Sequence, residues 1–216
     1  MPRAGIESRR DLARRLRGLY AVTPDLADTA DLVARVEAAV DGGAIAIQYR
    51  NKIADAALRQ HQARALARIV EKRDVLLVVN DDPALCREVG ADGVHLGEDD
   101  GTVAAARRIV GPLCLIGVSC YDDFERARSA VAAGADYVAF GSFFPSSVKP
   151  AARRADLSLL ARSATLGVPV VAIGGIDAVN AGDLRREGAH AVAVISAVFD
   201  AQDVTAAART IAAVFG

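Results

Sequence analysis

The sequence predicts an α/β chain folded as a (βα)8 TIM barrel, a single domain with an extra N-terminal helix. Two observations carry that prediction. Short β-branched apolar runs alternate with longer amphipathic runs rich in Ala, Leu and Arg along the whole chain, which is a βαβα rhythm. In addition, Gly43-Ala44, Gly90-Ala91, Gly134-Ala135 and Gly188-Ala189 each close a helix-like run just before strand two, four, six or eight. A Gly past a helix end supplies the left-handed cap, and a recurrence at every second unit suits a barrel assembled from paired units. A doubly wound open sheet is the structural alternative. Eight evenly spaced units and no G-x-G-x-x-G after the first strand weigh against it.

The elements follow in order. Residues 5–16 read as an amphipathic helix within an extension of residues 1–17, and the barrel is expected over 18–216. Strand-like runs are Leu19–Val22, Ala44–Gln48, Leu76–Val79, Gly93–Leu96, Leu115–Val118, Tyr137–Phe140, Val168–Ile173 and Ala191–Ile195. They are nearly all apolar, as strands covered on both faces should be. Helix-like stretches fall at 29–41, 55–71, 83–89, 101–110, 122–133, 156–165, 177–187 and 203–214, with apolar positions at helical spacing.

Composition narrows the function. The chain has 216 residues, 52% hydrophobic and 25% charged, with a net charge of −1, and its basic residues are spread rather than clustered. That argues against nucleic acid as a partner. No run approaches the ~18 apolar residues of a membrane span, and the charged start MPRAGIESRRDLARRLRG lacks a secretory apolar stretch. A cytoplasmic enzyme is expected, with homo-oligomerisation left open. Cys86, Cys114 and Cys120 are odd in number and unpaired by spacing, which suits a reducing compartment.

In such a barrel the C-terminal strand ends carry the active site, and the polar residues collect there. Strand two leads into Gln48-Tyr49-Arg50-Asn51-Lys52, strand three into Asn80-Asp81-Asp82, and strand four into Gly97-Glu98-Asp99-Asp100. Strand five leads into Ser119-Cys120-Tyr121, strand six into a long loop with Ser146-Ser147-Val148-Lys149, strand seven into Gly174-Gly175 and strand eight into Ser196. Singly, each has an ordinary reading. Asp81 and Asp82, or Asp99 and Asp100, would cap the next helix. Gln48, Arg50 and Lys52 would be a solvated strand end, Lys149 a surface lysine, His95 a hydrogen-bonded core histidine, and Cys120 an inert thiol. Jointly, two acidic loops one βα unit apart place carboxylates where oxygen ligands suit Mg²⁺. Arg50, Lys52 and Lys149 would then converge with the metal on a pyrophosphate. Lysine is scarce, with Lys52, Lys72 and Lys149 the only three. Gly174-Gly175 and Ser196 suit a monophosphate cradle. Together these half-sites describe a transferase joining two small phosphorylated molecules.

Tyr20-Ala21-Val22-Thr23-Pro24-Asp25, Gln48-Tyr49-Arg50-Asn51-Lys52, Val79-Asn80-Asp81 and the run Ala91 to Asp100 resemble, in this order, motifs of the thiamine-phosphate synthase (thiamine-phosphate pyrophosphorylase) family. Gly117-Val118-Ser119, the run Gly134 to Val138 and Ala172-Ile173-Gly174-Gly175-Ile176 extend the resemblance. It implies condensation of 4-amino-5-hydroxymethyl-2-methylpyrimidine pyrophosphate with 4-methyl-5-(2-phosphoethyl)thiazole, through a pyrimidine cation, to thiamine phosphate and pyrophosphate. It implies Mg²⁺ on Asp81 and Asp100, and Arg50, Lys52, Ser119 and Lys149 as catalytic residues. Gln48, Tyr49, Arg50, Asn51, Lys52, Asn80, Ser119 and Lys149 would line the pyrimidine pyrophosphate. Ser146, Ser147, Val148, Gly175, Ile195 and Ser196 would line the thiazole phosphate.

Three positions depart from the family pattern. Ser146-Ser147-Val148-Lys149 stands where Thr-x-Thr-Lys is usual, so Val148 removes a hydroxyl whose bond to an anion is worth ~1.5–3 kcal/mol. Asn51 replaces a commonly acidic residue, and Glu98 replaces a common Gln. A thiazole tautomerase-like isomerase and a non-catalytic thiazole-phosphate sensor of the same fold are the alternatives. The intact Gln48, Arg50, Lys52, Asp81 and Asp100 favour the synthase, as does the lack of a histidine after Ser119 in the strand-five loop.

Overall fold

The computed structural model describes residues 8–145 and 153–216. Eight parallel strands close a barrel in sequence order: β1 (Gly18–Val22), β2 (Ala44–Tyr49), β3 (Leu76–Asn80), β4 (Gly93–Leu96), β5 (Leu115–Tyr121), β6 (Tyr137–Phe140), β7 (Val170–Ile173) and β8 (Ala191–Val194). β8 returns to β1 with Ala191 opposite Gly18, which shuts the sheet on itself. The expected barrel therefore forms. β2, β3 and β5 run further into their polar ends than the apolar pattern indicates, because ladder bonds to the neighbouring strand continue past the last apolar residue.

Helices α1 (Arg9–Arg14), α2 (Thr29–Asp41), α3 (Ala56–Glu71), α4 (Pro83–Val89), α5 (Val103–Val110), α6 (Phe124–Ala132), α7 (Ser158–Arg162), α8 (Ala181–Arg186), α9 (Ser196–Phe199) and α10 (Val204–Ala212) fill the intervals. Most are started by a side-chain cap on the first free amides: Asp28, Asp55, Asp82, Thr102, Asp123 and Asp203 all accept one or two backbone N–H groups. Asp82 thus caps α4 as expected. At α5 the cap is Thr102, so Asp99 and Asp100 are released from that duty. The stretch 156–165 divides into α7 and a 3-10 turn, Ser163–Leu166, and α9 is a short helix that sequence periodicity did not show. Gly43, Gly90, Gly134 and Gly188 all take positive φ, between 68° and 109°, which explains why these turns use glycine.

Alternation along the strands divides the core in two. Outward residues such as Leu19, Ile47, Leu77, Ile116 and Val192 pack under the helices. Inward residues Tyr20, Ala46, Leu76, Val78, Leu115, Tyr137, Val171 and Ala191 fill the barrel, where Leu12, Ala13 and Leu16 join them. α1 is therefore a stopper at the N-terminal mouth, and Leu16 is fully buried. Arg9 anchors it with a 3.4 Å ion pair to Asp136. Residues 5–7 of the expected helix lie outside the described residues. Cys86, Cys114 and Cys120 are free, yet the Cys86 and Cys114 sulfurs sit 3.4 Å apart, a proximity that linear spacing could not reveal.

Candidate active site

Two cavities open where the strands end at their C-terminal side, and Arg50 and Asn80 line both. One, of about 340 Å³, gathers Arg50, Lys52 and Arg59 against Asn80, Asp81 and Asp82. The other, of about 420 Å³, is walled by Gln48, His95, Ser119, Tyr121 and Arg153 on one side and by Gly174, Gly175, Ile195 and Ser196 on the other.

Arg50 is held on three points. Buried Thr23 accepts the Arg50 amide at 2.9 Å and donates to its carbonyl at 2.8 Å. Asp25 meets the guanidinium at 3.2 and 3.3 Å, and the same carboxylate accepts the Lys52 amide at 2.8 Å. The loop after β1 thereby presents both cations of the loop after β2, and charge-assisted bonds of this kind are the stronger class. Tyr49 and Asn51 also line the first cavity, and their polar atoms bond within the protein. The Tyr49 hydroxyl donates to Gln62 Oε1 at 2.9 Å, and the Asn51 amide donates to the Leu26 carbonyl and to Gln62 Oε1. The Asn51 side-chain oxygen receives the amides of Ile53 and Ala54. Their polar atoms are spent on holding the loop.

Asp81 stands in the left-handed region at φ 63°, with its amide bonded to the His95 carbonyl at 2.8 Å. Its carboxyl faces that of Asp100, whose Oδ2 accepts the Gly97 amide at 2.8 Å. A Cβ at Gly97 would lie 2.6 Å from Asp100 Oδ2 and 3.9 Å from Asp81 Oδ1, so a larger residue would wedge at this pair. Burial first, and then the Asp100 carboxyl, push Asp81 up to about 6, while Lys52 and Asn80 pull it back. Two facing carboxylates of this kind fit a divalent cation. Mg²⁺ takes one or two protein carboxylates and fills its octahedron with water and substrate phosphate. Among the described residues no group of three or more His, Cys, Asp or Glu side chains forms a fuller metal cage.

The second cavity is built by close backbone approach. Gly174 at φ 104° and Gly175 at φ 64° lie so near the β6 loop that a Cβ would meet Ser142 Oγ at 2.0 Å or the Pro145 carbonyl at 2.2 Å. Ser196 opens α9 directly after β8, beside Ile195. Ser146, Ser147, Val148 and Lys149 lie outside the described residues. His95 proves to be a satisfied core histidine, with Nδ1 3.0 Å from the Tyr137 hydroxyl and Nε2 2.9 Å from Ser119 Oγ. Burial pulls it down to about 4, so it is neutral at pH 7. A histidine does therefore touch Ser119, contributed by β4 and not by the strand-five loop. Burial pushes the Cys120 thiol up to about 12, which keeps it in the unreactive thiol form at neutral pH. The residues missed from sequence are Thr23, Asp25, Arg59, Tyr121 and Arg153. Thr23 and Asp25 stand in a motif whose polar pair was the available signal. Tyr121, at φ 54°, is flanked by the guanidinium groups of Arg126 and Arg153, each 5.8 Å from its ring.

A family model described as thiamine monophosphate synthase matches residues 19–198. A thiamine-phosphate synthase of Chromobacterium violaceum is 56% identical over 202 residues, spanning 94% of this chain and 98% of that protein. One from Azoarcus sp. is 53% identical over 205 residues, spanning 94% and 100%. A solved thiamine phosphate pyrophosphorylase from Pyrococcus furiosus matches with a TM-score of 0.83 and 35% identity, covering 94% of this chain and 96% of its own.

Proposed function

We propose, from the premise that this chain belongs to the thiamine monophosphate synthase family, that its two adjoining cavities bind a pyrimidine pyrophosphate and a thiazole phosphate and join them. The chain is a transferase that forms thiamine phosphate. The finer reading names 4-amino-5-hydroxymethyl-2-methylpyrimidine pyrophosphate as donor and 4-methyl-5-(2-phosphoethyl)thiazole as acceptor. One observation carries it: in one cavity a cation cluster faces Asp81, which is held at positive φ against Asp100, and glycine-lined backbone walls the other, with Arg50 and Asn80 common to both.

The bond between the pyrimidine methylene carbon and the pyrophosphate oxygen breaks, and the pyrophosphate keeps the electron pair. The thiazole nitrogen then bonds to the methylene carbon. Negative charge grows on the leaving oxygens, so preorganised cations do the most for the rate. Arg50, fixed by Asp25 and Thr23, and Lys52 supply them here. Lys149 is assigned as the third cation from the loop beyond the described residues. When bound at Asp81 and Asp100, Mg²⁺ supplies further charge neutralisation on the pyrophosphate. Asn80 and Gln48 orient the donor, and Ser119 sits at the junction of the two substrates. Gly175, Ile195 and Ser196 receive the thiazole phosphate, with Ser146, Ser147 and Val148 completing the wall. No strong base is needed for such a displacement, which agrees with a neutral, buried His95.

Pyrophosphate release by the purified protein tests this directly. Release that requires both substrates and Mg²⁺, and falls at least a hundredfold in Asp81→Ala, is the expected result. Binding of the thiazole phosphate with no release would move the protein to an isomerase or a sensor.

A further inference from the structure

A continuous chain of hydrogen bonds crosses the barrel beneath the second cavity. Gln48 Nε2 donates to the Tyr20 hydroxyl at 3.0 Å, which meets the Tyr137 hydroxyl at 2.9 Å. Tyr137 meets His95 Nδ1 at 3.0 Å, and His95 Nε2 meets Ser119 Oγ at 2.9 Å. Tyr137 is wholly enclosed, and Tyr20 is buried at the floor of the cavity. Among the described residues no buried side-chain nitrogen or oxygen lacks a partner. Gly117 makes room for the chain, since a Cβ there would lie 2.0 Å from Tyr137 Cζ.

The direction of these bonds is fixed by counting protons. The Gln48 amide nitrogen can only donate. Tyr20 therefore accepts, and its own proton must go on to Tyr137. Tyr137 in turn must give its proton to His95 Nδ1, because any other choice leaves a buried hydroxyl proton without an acceptor. Neutral His95 then carries its proton on Nε2 and donates to Ser119 Oγ. Ser119 is left with a proton that the barrel floor does not take up.

We infer that His95, oriented through Tyr137 and Tyr20 from Gln48, is a positioning residue that makes Ser119 an obligate hydrogen-bond donor toward the substrate cavity. On the proposed reaction, which this part of the inference rests on, that donor meets a lone pair on the pyrimidine pyrophosphate. The leaving oxygen is the acceptor that gains charge as the bond breaks. The two ends of the wire are thus coupled. A carboxylate at position 48 would accept from Tyr20 and reverse every bond, placing the His95 proton on Nδ1 and turning Ser119 to donate inward.

The test is nitrogen NMR of the full-length protein labelled with ¹⁵N-histidine. His61, His95 and His190 are the three histidines, and His95→Gln assigns the signal. In long-range ¹⁵N–¹H correlation spectra at pH 7.5, the expected wild-type result is a single His95 tautomer protonated on Nε2. A proton on Nδ1, or exchange averaging over both nitrogens, overturns the inference. Gln48→Glu, measured above the titration of its carboxyl, is expected to move the proton to Nδ1. Retention of the Nε2 proton in that variant would overturn the claim that Gln48 sets the direction. Both readouts are independent of turnover, so a failure here is distinguishable from a failure to release pyrophosphate.

Discussion

The two mouths of the barrel solve opposite problems. At the N-terminal end, α1 and the turn after it lower Leu12, Ala13 and Leu16 into the interior, and the opening is filled with apolar side chains. At the C-terminal end, two cavities stay open, two like-charged carboxyls face each other, and Asp81 and Tyr121 hold positive φ. Among the described residues these are the only non-glycine positions that do. Strain of this kind costs about 1–3 kcal/mol per residue and persists where surrounding structure enforces it. Here the neighbouring strands supply it: the Asp81 amide bonds the His95 carbonyl, and the Tyr121 carbonyl accepts the Gly141 amide. The lesson is a division of labour along one axis: stability is gathered at one end and spent at the other.

The comparison breaks most sharply at the cations. Arg50→Ala removes a prepositioned charge from the leaving group and leaves Asp25 unpaired. Turnover should fall roughly a hundred- to a thousandfold, about 3–4 kcal/mol, while the urea midpoint changes little. Steady-state kinetics with a parallel denaturation curve check both halves. The reverse dissociation is expected of Leu16→Ala in the stopper. It should lose about 2–5 kcal/mol of stability by opening a cavity, with turnover per folded molecule unchanged.

Acidity probes the floor against the rim. His95 sits at about 4, below its ordinary 6.5, so the unfolded chain takes up a proton that the folded chain refuses. Its contribution is whole above pH 6.5 and is lost as pH falls toward 4, about 3 kcal/mol in all. Asp81 is raised from 3.8 to about 6, so it acts in the opposite sense. Its penalty is full above pH 6 and is relieved as pH falls toward 3.8, about 1 kcal/mol once its partial exposure is discounted. Urea midpoints at pH 7.5 and 4.5 should therefore converge in His95→Gln and diverge further in Asp81→Asn. The smallest effect sharpens the same point: Asp81→Gly should raise the unfolding free energy at pH 7.5 by about 1 kcal/mol over wild type, by relieving φ and like charge, while abolishing metal-dependent activity.

Much of this division was legible in the sequence. Gly43, Gly90, Gly134 and Gly188 marked the turns at the stable end, and Arg50, Lys52, Asp81 and Asp100 could be placed at the C-terminal strand ends, because strand ends and loops are local in sequence. What was hidden is what crosses the barrel. Tyr20 and Tyr137 are 117 residues apart and look like ordinary apolar strand positions until closure brings their hydroxyls together. Asp25 grips Arg50 only because β1 and β2 are neighbours, and α1 becomes a stopper only once there is a mouth to fill. Asn51 and Tyr49 share a motif and a cavity with Arg50, but their polar groups bond Gln62, 11 and 13 residues away on the next helix, which no motif shows.

The most direct test of the central claim, that the facing carboxylates and the Arg50–Lys52 pair form one pyrophosphate site, is equilibrium binding of inorganic pyrophosphate to the wild type and to Asp81→Asn, with and without Mg²⁺. Binding that Mg²⁺ strengthens at least tenfold in the wild type, and does not strengthen in the variant, is the predicted result. Equal binding with and without the metal in both proteins would contradict it.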